Sequence, residues 1–169
     1  MKFFSANIES LRELYFNQLR MLLSAEQQIA EALPKMVEKA TDTQLKQAFQ
    51  SHLQETRVHV TRLQQLLMDR PGGAEALKCK TAAALIEEAE ALLKDATDSS
   101  VRDAALIAAA QRVEHYEIAF YGAVRNWARI LGETQQAEIL DKTIKEEGHA
   151  DQLLTSIADR VNPYAEKAA

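Results

Sequence analysis

Glu26 stands among Leu19, Leu22, Leu23, Ile29, Ala30 and Leu33. A helix turning about 100° per residue puts its carboxylate near the centre of that apolar face. An unpaired carboxylate there costs several kcal/mol, so it calls for a counter-charge, a shared proton or a metal ion. The same arithmetic finds candidates on three more helical stretches. His52, Thr56 and His59 fall on the apolar side of the second, with Glu55 between the two histidines. Glu117 borders the inner face of the third, with Glu114 one turn earlier and further round. Glu147 lies within the inner face of the fourth, and Asp151 at its edge.

Glu55/His59 and Glu147/Asp151 share a spacing of four, and Glu26 and Glu117 hold comparable places on the other two helices. Four helices thus each offer a carboxylate at a common level. Hard oxygen donors joined by one or two imidazoles form the donor set of a two-metal carboxylate site in a helical bundle. The usual mark of such a site is Glu-x-x-His on two helices. Only Glu146/His149 matches it, and His149 points about 120° away from the apolar centre, toward solvent.

Taken singly, Glu114 and Glu55 also fit side chains that reach water along a helix edge. His52 also fits a core histidine bonded to a backbone carbonyl or to Glu55. Two readings therefore compete: a metal centre, and buried Glu–His or Glu–Arg networks. Met21, Met36 and Met68 read as gap-fillers. Cys79 has no Cys or His neighbour, and no Ser-His-Asp grouping or Gly-rich phosphate loop is present in the sequence.

The elements that must position these residues are all helical. Ala, Leu, Glu, Gln and Lys dominate, while 5 Gly and 3 Pro leave few turns. The first helix is predicted to begin near Ser5 or Asn7 and run to about Lys39, with Pro34 kinking or breaking it. Thr41 to Gln44 predicts a capping box for the second, which stops at Pro71-Gly72-Gly73. A short helix follows over about Lys80 to Lys94, with Leu85, Ile86, Leu92 and Leu93 inward. Ser100 with Asp103 opens a long third main helix carrying Val113, Tyr116, Phe120, Val124, Trp127 and Leu131 inward, ended by Gly132 at C′. The last helix opens at Thr134 and ends before Asn162-Pro163. Four long helices with a short one in the second-to-third connection make an all-α, ferritin-like four-helix bundle, expected as one domain over residues 1–169.

Hydrophobic residues at 47% and charged residues at 27% fit a globular chain rather than a disordered one. The net charge of −5, with signs interspersed, gives no basic stripe for nucleic acid and no polybasic segment for a membrane surface. The single Cys79 and the lack of a signal-like apolar run or an 18-residue apolar stretch lead to the expectation of a cytoplasmic protein.

Val101 to Gly122, VRDAALIAAAQRVEHYEIAFYG, resembles the YciF/YciE family of bacterial ferritin-like stress proteins. SAEQQIAEALPKM (Ser24 to Met36), AFQSHLQET (Ala48 to Thr56), CKTAAALIEEAEAL (Cys79 to Leu92) and the Glu146-Glu147…Asp151 segment extend the likeness over nearly the whole chain. The resemblance implies a dimer linked to stress responses. By similarity to ferritin-like and rubrerythrin-like proteins it implies a di-iron centre, with manganese as the other candidate metal. Its ligands would be Glu26, Glu55, Glu114 or Glu117, and Glu147, with His59 or else His52 as nitrogen donor and Asp151 as a further oxygen. A protective, peroxide-consuming or ferroxidase-like role follows from that centre. The alternative is a non-enzymatic bundle, dimeric and working through protein partners, whose inward acids sit in salt bridges.

Overall fold

A computed structural model describes residues 8–167 except 69 and 71. Five helices follow in order: α1 (Leu11–Lys39), α2 (Thr43–Leu67), α3 (Lys80–Asp95), α4 (Ser99–Ile130) and α5 (Thr134–Ala165). The predicted caps Ser5 and Asn7 lie outside the described residues, as does Pro71 in the predicted stop of α2. Instead α1 starts at Ser10, whose hydroxyl accepts from the Glu13 amide while the Glu13 carboxylate reaches back to the Ser10 amide. Pro34 does not break α1, which runs on for five more residues.

Three further starts and stops differ from the sequence reading. Asp42, not Thr41, caps α2, accepting from the Gln44 and Leu45 amides. Asp98, not Ser100, caps α4 in the same way. Asp103, expected to serve that helix start, is buried and accepts from the Thr41 amide, the Thr41 hydroxyl and the Asp42 amide, tying the α1–α2 turn to α4. Pro163 lies inside α5, which continues to Ala165 because its solvent-facing last turn tolerates the lost donor. Gly132 takes φ +75 beyond α4, as the C′ position requires. On α3 Ile86 and Leu93 pack against the core, while Leu92 is exposed.

Contacts at the bundle ends fix the helix directions. The Tyr15 hydroxyl donates to Gln136 at 2.7 Å and Arg12 pairs with Glu133, placing the start of α5 beside the start of α1. Arg160 pairs with Asp42 at the opposite end. So α5 runs parallel to α1, while α2 and α4 run against them. The α2–α4 connection crosses the length of the bundle and carries α3, which packs on α1 and α4.

Among the described residues two large apolar clusters make up most of the interior, with a small third one of Ala25, Cys79 and Ala82 under α3. Tyr15, Leu19, Leu22, Leu63, Val124 and Leu140 belong to one large cluster, and Ile29, Leu33, Phe49, Leu106, Leu154 and Ile157 to the other. Near where one cluster gives way to the other, every long helix places acids or imidazoles: Glu26 on α1, His52 and His59 on α2, Glu114 and Glu117 on α4, and Glu147 on α5.

Candidate metal centre

All six of those side chains are buried, Glu26, Glu117 and Glu147 completely. They form two overlapping sets whose donor atoms lie within 4.8 Å of one another: Glu26, His59 and Glu147, and His52, Glu114, Glu117 and Glu147. Glu147 belongs to both. His59 Nδ1 stands 2.9 Å from Glu147 Oε1 and 3.3 Å from Glu26 Oε1. His52 Nε2 stands 3.2 Å from Glu114 Oε1 and 3.9 Å from Glu147 Oε2.

These close approaches are not hydrogen bonds. Both carboxylate oxygens of Glu117 and of Glu147, both ring nitrogens of His52, His59 Nδ1, Glu26 Oε2 and Glu114 Oε2 are buried and have no hydrogen-bond partner. Nearly all buried polar atoms in native proteins are satisfied. Unpartnered donor atoms that gather within 4.8 Å of one another form a group that could hold a metal ion.

The surrounding shell is satisfied. Tyr121 OH donates to Glu26 Oε1 at 2.5 Å from a fully buried position. His59 Nε2 lies 3.0 Å from Glu146 Oε2, and Arg62 pairs with the same carboxylate. The Arg62 guanidinium holds Glu146 below the usual carboxylate range, so Glu146 accepts and His59 Nε2 carries the proton. In the neutral tautomer the Nδ1 lone pair then faces Glu26 and Glu147. A carboxylate behind a ligating imidazole is the common support of a metal-binding histidine.

The electrostatics express the same crowding. Burial raises Glu26, Glu114 and Glu117 above the usual carboxylate range, and the neighbouring acids add to it. Burial alone would depress the imidazoles, but the charges of Glu114, Glu55 and Glu147 lift His52 to about 9. Glu147 and Glu26 likewise lift His59 to about 10. Four carboxylates with two neutral imidazoles match the charge of two divalent cations, and the oxygen-rich donor set suits iron or manganese. The residues fit the group.

Of the acids expected from the sequence, Glu26, Glu114, Glu117 and Glu147 come together with His59. His52, held there only as a substitute for His59, joins them. Glu55 is 40% exposed and touches the cluster only through His52 Nδ1, at 3.7 Å. Asp151 accepts from Gln111 and faces His115 at 3.4 Å, away from the others. His149 is exposed, as its angle on α5 predicts. Tyr121 was not foreseen, and Glu146, noted only for its spacing to His149, stands behind His59 instead. The signal for Tyr121 was its place three and four residues along the Glu114–Glu117 stripe.

The fold and cluster define a ferritin-like helical bundle with a buried carboxylate–histidine layer. The chain belongs to the family described as "Domain of unknown function (DUF892)", whose model matches residues 10–166. It is 38% identical over 165 residues to Protein YciF of Escherichia coli K12, covering 96% of this chain and 99% of that one. The crystal structure of the E. coli stress protein YciF superposes with a TM-score of 0.87 at 36% identity, covering 92% of this chain and 99% of that one. YcfI of Rhodopseudomonas palustris gives 0.86 at 40% identity, covering 90% and 98%. No described helix is long and apolar enough to cross a membrane.

Proposed function

We propose that this protein carries a dinuclear iron or manganese centre in its polar layer and serves a stress response by consuming peroxide or oxidising ferrous iron. The observation that carries this reading is the convergence of buried, unpartnered carboxylate and imidazole atoms from all four long helices. Glu26, His59 and Glu147 would hold one ion, and His52, Glu114, Glu117 and Glu147 the other. Bound iron or manganese would supply reversible one-electron changes at two adjacent ions, suited to two-electron reduction of an oxidant.

The chain's own residues set the conditions. Tyr121 fixes one oxygen of Glu26 and leaves the other free. Glu146 orients the His59 ring, and the Arg62 charge keeps Glu146 from protonating. The two apolar clusters limit water at the layer, which strengthens every charge interaction within it. The stress role rests on the likeness to the relative called a stress protein. We further propose, with the family resemblance, that the chain forms a homodimer; a solution mass equal to one 18.9 kDa chain would overturn that.

Metal analysis of protein purified without chelator tests the centre, with a melting series in added Mn(II) or Fe(II). Binding to the native state alone adds about 2.7 kcal/mol at a hundredfold excess over Kd. The raised imidazoles favour one rival, a metal-free bundle whose acids pair with His52 and His59 and which acts through protein partners. Negligible metal together with an unmoved melting temperature would establish the rival instead.

A further inference from the structure

A fully buried centre needs a route by which a hydrated cation arrives. Among the described residues, two clefts that reach the cluster both end on His52 and Glu114. One opens between α1, α3 and α4 and is walled by Ile29, Leu33, Met36, Ile86, Leu93 and Val113. The acid that also lines this cleft, Glu90, is held by Lys35 at 2.7 Å, so an ion shedding water against that wall meets no unpaired carboxylate before Glu114. The other opens between α2 and α5, has a volume of about 80 Å³, and presents Ser51, Glu55 and His149 at its mouth. That volume is enough for several waters.

We propose that the α2–α5 cleft is the port through which divalent cations reach the centre, with Glu55 as the receiving carboxylate and His52 as the inner relay. The proposal rests on the metal reading and assigns Glu55 a role other than resident ligand. Glu55 is part-exposed, and within 4 Å its one charged partner among the described residues is His52. It is therefore free to take up a cation at the surface.

His52 is only 6% exposed, lines the cleft, and has no hydrogen bond on either ring nitrogen. From Glu55 to His52 is 3.7 Å, from His52 to Glu114 3.2 Å, and from His52 to Glu147 3.9 Å. A ring nitrogen thus faces each side of the step, Nδ1 the carboxylate at the mouth and Nε2 the buried acids.

The test is the rate at which Co(II), whose visible absorption reports protein coordination, loads into the metal-free full chain. Glu55→Gln should load about tenfold more slowly, as expected when a charge lining a cleft is removed. Its final Co(II) stoichiometry and spectrum should equal those of the wild type. Leu153→Trp, a plug at an exposed wall of the same cleft, should slow loading without touching any acid. Unchanged rates in both variants would overturn the port. A lower stoichiometry with an altered spectrum in Glu55→Gln would overturn it too, making Glu55 a resident ligand. Absence of Co(II) uptake by the wild type would remove the centre itself, an outcome distinct from either.

Discussion

His52 and His59 approach the same carboxylate, Glu147, from two turns of one helix. His59 Nδ1 lies 2.9 Å from Oε1, and His52 Nε2 lies 3.9 Å from Oε2. The two oxygens of one side chain are thereby divided between the two donor sets, so Glu147 is the residue that joins them.

That division predicts unequal losses. Glu147→Ala removes a donor from both sets and should leave almost no bound metal. Glu26→Ala removes a donor from one set and should retain about half the wild-type content, since the other set is untouched. Metal-to-protein ratios by mass spectrometry separate the two; equal losses would show that the sets do not bind independently.

Glu117 offers a trade between stability and binding. Both of its oxygens are buried without partners, and its carboxyl is held well above the usual range by burial and by the neighbouring acids. Replacing such a group with an apolar one of similar size is often stabilising by about 1–4 kcal/mol. Glu117→Leu should raise the melting temperature of the metal-free protein and abolish the further rise on adding Mn(II). Calorimetry with and without the ion checks both halves.

The slope of stability with pH should change sign on loading. In the metal-free protein His52 and His59 titrate near 9 and 10, above their unfolded value of about 6.5. Their contribution is complete below about pH 6.5 and is lost as pH rises through 9 and 10. Glu26, Glu114 and Glu117, also raised, give a slope of the same sign from lower pH upward. Metal binding requires deprotonated donors, so the loaded protein should gain stability as pH rises from 5 to 7. Denaturant midpoints across that range, taken with and without metal, read the two slopes; parallel slopes would count against the centre.

Glu146 acts on the centre through His59. Glu146→Ala leaves His59 Nε2 without its acceptor and Arg62 without its carboxylate. Metal affinity should fall by about 10- to 100-fold, as for other carboxylates behind ligating imidazoles. Circular dichroism should stay unchanged, because Glu146 is part-exposed and outside both apolar clusters. Titration with a competing chelator gives the affinity.

How much of this was legible in the sequence varied from helix to helix. Glu26 was, because six aliphatic neighbours fix its face without ambiguity. The third main helix misled: its bulky residues Val113, Tyr116, Phe120 and Trp127 pointed to a stripe that is only half-buried. The buried stripe instead runs through Leu106, Ala110, Glu114, Glu117, Tyr121, Val124 and Ala128. Alanines and acids carry little weight in a hydropathy pattern, yet small side chains let neighbouring helices approach closely. That same shift kept Glu114 outside the expected face. Glu55 and Asp151 lie outside the buried cluster for a different reason, since a residue at a helix edge is sent inward or outward by partners on other helices. Gln111 and His115 claim Asp151, and no sequence spacing shows them doing so. The starts of α2 and α4 followed a local competition in which an aspartate one or two residues earlier or later, Asp42 for Thr41 and Asp98 for Ser100, took the cap.

The layer of acids and imidazoles interrupts the oil at mid-height, leaving two shorter bundles stacked end to end on shared helices. Each end coheres through its own aliphatic packing, while the acids of the waist between them must hold protons, pair with His52 and His59, or find a cation. A cation seated there would act as a rivet between the two halves. Backbone amides around Glu26, Thr56, Glu117 and Glu147 should then be the first to exchange with solvent when the ion is withdrawn.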